Sequence, residues 1–154
     1  MLIDTRVQGL KETEAALMKL PQKFRTAAGQ KALIAGARVI QKAAVNNLKS
    51  ITSASKVATG VLANGIRVYR MRKKRGMLRV GVMVQKKLVN KRKIVKGEPV
   101  RVGLYASVLE YGKANQPPRS WLRTASENNA DQTLSVVKGV LSENLAEAIE
   151  KAKR

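Results

Sequence analysis

Residues 105–125, YASVLEYGKANQPPRSWLRTA, constrain the fold of this chain more than any other stretch, because they place a Gly stop, a double proline and the only tryptophan within 21 residues. Tyr105, Val108 and Leu109 make one apolar stripe of a short helix, and Gly112, just past Tyr111, can take the left-handed cap that ends it. Pro117 and Pro118 then bar an immediate continuation and hold the backbone extended. Ser120 is placed to cap a new helix that starts at Trp121 and Leu122, burying the largest side chain of the protein at a helix-to-loop corner. Taken one residue at a time, this is a packing corner.

Periodicity elsewhere predicts an α+β fold. Leu2, Asp4 and Arg6 alternate with Ile3, Thr5 and Val7, which reads as a short strand ending at Gly9, and a helix over 11–19 stops before Pro21. From 22 to about 51, Leu33, Ala37, Ile40, Ala44, Leu48 and Ile51 recur in steps of three and four, the mark of one face of a long helix. Its alanines favour helix and close packing, while Gly29 and Gly36 signal a tight crossing or a kink. Ser53, Ser55 and Gly60 open a loop of small residues.

The period then changes to two. Ile66, Val68 and Tyr69 lead into one strand and 77–84 form a second, with Lys73, Lys74, Arg75 and Gly76 as the hairpin turn. Leu78, Val80, Val82 and Val84 share a face of the second strand, as a half-buried sheet over the long helix requires. Residues 85–100 either extend the hairpin or stay mobile, and 100–104 read as a further short strand. A C-terminal helix from Ser126 or Asn128 to near Lys151 presents Leu134, Val137, Leu141, Leu145 and Ile149 on one face. The expected architecture is one domain, 1–154: a small antiparallel sheet packed against a long N-terminal and a long C-terminal helix, with a basic extended hairpin or loop whose mobile part or extension is 86–101.

Composition narrows the chemistry. The chain has no Cys and no His, which removes disulfides, thiolate nucleophiles, imidazole bases and most transition-metal sites. Its ten carboxylates are scattered and most fall on expected polar helix faces, and no glycine cluster is followed by a GK[ST] phosphate loop. An enzyme is therefore the least favoured class, and no cofactor or metal is expected. No apolar run is long enough for a membrane span and no secretory leader is recognisable at Met1, so the chain is expected to stay in the cytoplasm where it is made.

What the composition adds is charge. Thirty-one Lys and Arg against ten Asp and Glu give +21, and residues 67–101 alone hold 14 basic residues and one acid. Guarding a hairpin edge against aggregation explains a few such cations but not this imbalance. The tract is read as facing polyanionic phosphate, with Arg70, Arg72, Lys73, Lys74, Arg75, Lys86, Lys87, Lys91, Arg92 and Lys93 as contact candidates. Base-specific recognition is not expected, because the chain has only five aromatics, better placed in the core or at corners.

The order of motifs resembles the tail-component family of long-tailed bacteriophages, also called neck or tail-completion proteins. Its members carry a YA..VE.G segment, a Pro-rich turn with an aromatic and Arg, and RPA or RTA opening a long helix. Here these read Tyr105 and Ala106; Val108 to Gly112 through Glu110 and Tyr111; Pro117, Pro118 and Arg119; then Trp121, Leu122, Arg123, Thr124 and Ala125. Upstream, Gly9, Leu10, Glu14, Ala16, Leu17, Leu20 and Pro21 match the family's opening, and Thr59, Gly60, Leu62 and Ile66 match its TG.L..GI stretch. Tyr111 stands where Phe is common, and 86–101 is an unusually basic insertion.

The resemblance implies a structural virion protein of the head-to-tail junction, a homo-oligomeric ring around the DNA path. Its partners would be the head connector or stopper and the tail-tube or tail-terminator proteins, with non-specific contact to duplex DNA. The corner of Tyr105, Glu110, Tyr111, Gly112, Pro118, Arg119, Trp121, Leu122 and Arg123 would lie near one ring interface. The alternative from another class is a small basic protein that binds nucleic acid without sequence preference.

Overall fold

A computed structural model describes residues 22–53, 60–74, 76–85, 89–95 and 98–152. The strand expected over 2–7 and the helix over 11–19 lie outside the described residues. The spine is α1, Gln22–Ser53, a 32-residue helix and so roughly 48 Å long. The expected stripe is the buried one. Ala37, Ala44 and Leu48 are buried, and Ile40 and Ile51 pack on the core beside them.

A short helix, α2 (Gly60–Asn64), follows and delivers Leu62 and Ala63 to the core. Its five residues are too few to display a helical period. Then come β1 (Ile66–Lys74) and β2 (Met77–Val84), antiparallel, with Gly76 at φ +78° in the turn. Register pairs Ile66 with Val84 and Val68 with Val82, and this face meets α1. The opposite face pairs Arg67 with Met83, Tyr69 with Gly81 and Met71 with Arg79. Pairing slips between Met71 and Lys74, a bulge at the hairpin tip.

The next segment differs from the expectation of a loop or an extension of that hairpin. β3 (Val89–Val95) and β4 (Glu98–Arg101) pair with each other as a separate antiparallel sheet. The strand expected over 100–104 is corrected as well, because it ends at Arg101 and Val102 opens the helix α3 (Val102–Tyr111). An apolar run this short fits either state, and the burial of Val102, Ala106 and Leu109 at helical spacing decided it.

After the loop come α4 (Trp121–Asn128) and α5 (Ala130–Ala152). The single C-terminal helix expected from about 126 is thus two helices, broken at Asn129, whose φ of −118° and ψ of 19° leave the helical region. Its side-chain amide donates to the carbonyl of Ala125, and its own carbonyl accepts from the Thr133 N–H, so both helix ends find partners across the break. Leu145 is buried and Leu134, Val137 and Leu141 half-buried on the expected face; the side chain of Ile149 falls outside the description.

The core forms where α1 meets everything else: Ala44 and Leu48 from α1, Leu62, Ile66, and Val102, Ala106, Leu109, Trp121 and Ala125 from the corner. Each fully buried Leu or Ile contributes about 1.5–3 kcal/mol over exposure. The small residues of α1 have a geometric reason. A Cβ on Gly36 would sit 2.5 Å from Val137 Cγ2 and 3.3 Å from the Thr133 carbonyl oxygen, so α1 and α5 cross almost backbone to backbone. Gly29 likewise leaves room for Leu78 Cδ1, 2.9 Å from where its Cβ would stand. The two glycines mark tight contacts on an unbroken helix.

Alanine at two helical glycines should therefore act with opposite signs. Gly36→Ala should destabilise the protein by about 1–3 kcal/mol through overpacking. Gly139→Ala, where nothing lies within 4 Å, should stabilise it by about 0.5–1 kcal/mol through helix propensity. Urea unfolding of both variants measures the pair, and the same sign at both sites would refute the crossing.

Candidate functional site

Two regions attract the functional residues: the corner between α3 and α4, and the cationic hairpins. At the corner, Gly112 ends α3 with φ +77° and ψ −175°, a glycine-favoured conformation but not the left-handed cap expected from sequence. A Cβ there would lie 2.7 Å from the Gln116 carbonyl oxygen and 2.9 Å from the Pro118 nitrogen. Residues 113–116 close a small turn through paired bonds between Lys113 and Gln116, and Arg119 N–H donates to the Leu109 carbonyl at 2.7 Å. The chain is thereby folded back on α3 before α4 begins.

Ser120 precedes α4 as expected, but its hydroxyl makes no capping bond. The cap is Glu110. Its carboxylate, 7% exposed, accepts the Leu122 N–H at 2.9 Å through Oε2 and the Arg123 N–H at 3.0 Å through Oε1. An anion at a helix N-terminus satisfies orphan donors and faces the positive end of the macrodipole. Sequence reasoning placed most carboxylates on polar helix faces and so missed this role. No local signal marks it, since α4 has no acid in its first turn and the acceptor comes from the preceding helix.

Trp121, 3% exposed, donates its indole N–H to the Ala106 carbonyl at 3.2 Å, and its own carbonyl accepts from the Asn47 amide of α1 at 3.1 Å. Tyr105 and Leu122 pack half-buried against this cluster. Pro118, Arg119 and Arg123 are exposed. Tyr111 departs from the expected core or corner burial of the tyrosines, since it is 71% exposed, and Leu104 on the same helix is exposed too. They are seven residues apart, close to two helical turns, and so share a side of α3.

The cationic candidates divide between two separate hairpins. Arg70, Arg72 and Lys74 project exposed from β1, and Lys73 lies on the same strand, at the bulge. Lys91, Arg92 and Lys93 occupy β3 where its register slips: Asn90 pairs with Val100 and Ile94 with Pro99, leaving the three basic residues between. Arg75, Lys86 and Lys87 lie outside the described residues. Among described residues, no group of three or more His, Cys, Asp or Glu could hold a metal ion, and no helix is long and apolar enough to cross a membrane.

Residues 11–112 match the family model described as "Bacteriophage HK97-gp10, putative tail-component". No curated protein and no solved structure matches the chain. The matched region runs through α1, both hairpins and α3, and stops at Gly112, the residue at which the corner turns.

The corner supplies its own test. Glu110→Ala should cost about 2–3 kcal/mol, because two inward-facing backbone donors lose their acceptor. Glu110→Gln, which keeps one carbonyl acceptor, should cost about half as much. Thermal unfolding with near-ultraviolet dichroism of Trp121 reads both; equal and negligible losses would show that the carboxylate does not hold α4.

Proposed function

The chain belongs to the HK97-gp10-like family of bacteriophage tail components, and from that membership we propose that it is a structural subunit of the head-to-tail junction. A tail component is a protein of the virion and acts by contacting other virion proteins. On this reading it forms a homo-oligomeric ring around the DNA path and joins the head connector or stopper to the tail tube or its terminator. Its work is scaffolding, with no chemical step.

The observation that carries the reading is the family match over residues 11–112, which include α1 through α3. Charge supports it. The residues between 67 and 101 carry 14 cations against one acid, while 102–154 hold seven against six. A ring subunit needs a stiff body for lateral packing and charged elements for whatever passes through or above the ring. The helices and the core cluster suit the first role, and the hairpins suit the second. A closed ring also requires two different faces on each subunit. The exposed Leu104 and Tyr111 side of α3 is the face we assign to a lateral contact.

The same charge favours the second reading, a non-specific nucleic-acid-binding protein, and the two separate cleanly. Light scattering should show large assemblies only when the protein is mixed with connector and tail-tube proteins of the same phage. A salt series on duplex DNA should show weak binding by the free subunit. Tight low-salt binding of duplex, with log K falling at about 0.9 per phosphate neutralised, in a monomer or dimer that ignores those partners would replace the junction role with the second reading.

A further inference from the structure

The β1–β2 hairpin carries a groove of about 510 Å³ that the junction reading leaves unused. Tyr69, Arg70, Met71 and Arg72 of β1 line one side, and Met83, Val84 and Gln85 at the end of β2 line the other. Consecutive residues belong to both faces of a strand, so the groove spans the two strands of the hairpin and is not confined to one face of the sheet. On the outer face, Tyr69, Met71 and Met83 are half-buried around Gly81, whose missing side chain leaves Met71 Sδ 3.1 Å from the position a Cβ would take. The floor is thus apolar and adaptable, as thioethers make it.

Beside this floor, no strand among the described residues pairs with the outer edge of β1. Among those residues β1 pairs with β2, and its other principal neighbour is α1, whereas β2 also meets α3. An unpaired edge presents a row of backbone donors and acceptors to any extended chain that reaches it. Here the edge also carries exposed Arg70, Arg72 and Lys74. A second copy of the same strand would bring like charges together, which disfavours self-pairing. An acidic strand meets no such penalty.

We propose that this edge is a strand-addition site for an extended, acidic segment of another protein, one alternating carboxylates with apolar side chains. Backbone bonds to β1 and apolar contacts with Tyr69, Met71 and Met83 hold the segment, while the arginines select its charge. Exposed ion pairs are individually weak and act mainly on specificity and encounter rate. A phosphate backbone uses the cations but neither the strand edge nor the apolar floor. Arg70 and Arg72 are two residues apart, the same spacing as successive same-side carboxylates on an extended partner.

The test uses the full chain and a fluorescein-labelled peptide that alternates Glu with Val, titrated by fluorescence anisotropy at low salt. The alternating peptide should bind. Methylating alternate peptide amides, or grouping the same residues into a Glu block and a Val block, should weaken it at least about tenfold. Arg70→Glu with Arg72→Glu should do the same, while the charge-matched control Arg38→Glu with Lys42→Glu, exposed on α1, should have little effect. Circular dichroism checks that each variant is folded. The proposal fails if the block or methylated peptide binds as well as the alternating one, if both double variants weaken it equally, or if short duplex DNA displaces the peptide and itself depends on Arg70 and Arg72. These arms are read on the free subunit, so their failure leaves the junction role, tested by assembly, untouched.

Discussion

The fold turns on one buried carboxylate. Glu110 sits in the last turn of one helix and caps the next, and α4 is oriented by that placement. With its two oxygens on the Leu122 and Arg123 amides, α4 can start only where its first turn meets the end of α3. That placement puts Trp121 against Ala106 and within reach of Asn47 on α1. Once α4 lies along α1, the break at Asn129 sends α5 across the Gly36 notch. The corner needs Gly112 as well, because the returning chain passes where any other residue would hold a Cβ. A carboxylate inside a nearly apolar cluster is stable here because it accepts two backbone hydrogen bonds at a helix N-terminus.

How much of this was legible follows from how many residues each feature repeats over. The stripe of α1 recurs for about five turns, so Ala37, Ala44 and Leu48 announce their own burial. The β1–β2 hairpin alternates cleanly around a turn with Gly76 at positive φ, and it was equally plain. Short features were not. Val102 follows a strand without punctuation, and only tertiary burial makes it the first residue of a helix. Asn129 breaks a stretch whose apolar spacing carries on through it, so the period alone predicted one helix where there are two.

The candidate site divides the same way. The corner residues were singled out by their types and order, and Trp121, Leu122 and Gly112 do form it. The chemistry between them was not visible, because a side chain twelve residues before Leu122 supplies the cap while Ser120, in the usual position, does not. Side-chain capping from a distance leaves no local spacing to read. The cations were visible as a tract, but their division into two hairpins depends on register slips between Met71 and Lys74 and between Asn90 and Ile94. Composition cannot show where pairing fails.

Those slips bear on how so cationic a chain folds at all. Like charges repel most strongly where water is excluded. The described core cluster contains none of the 14 cations of 67–101, and those whose side chains are described, such as Arg67, Arg70, Arg72, Lys74, Arg79 and Arg101, are exposed. Solvent and salt screen them there, so their mutual repulsion weighs lightly on the folded state. Their placement still has a consequence for association. A strand edge lined with cations resists a second identical edge and accepts an acidic one. Pairing of two identical copies through that hairpin edge would carry a charge penalty, and the nearly neutral stretch 102–154 carries none.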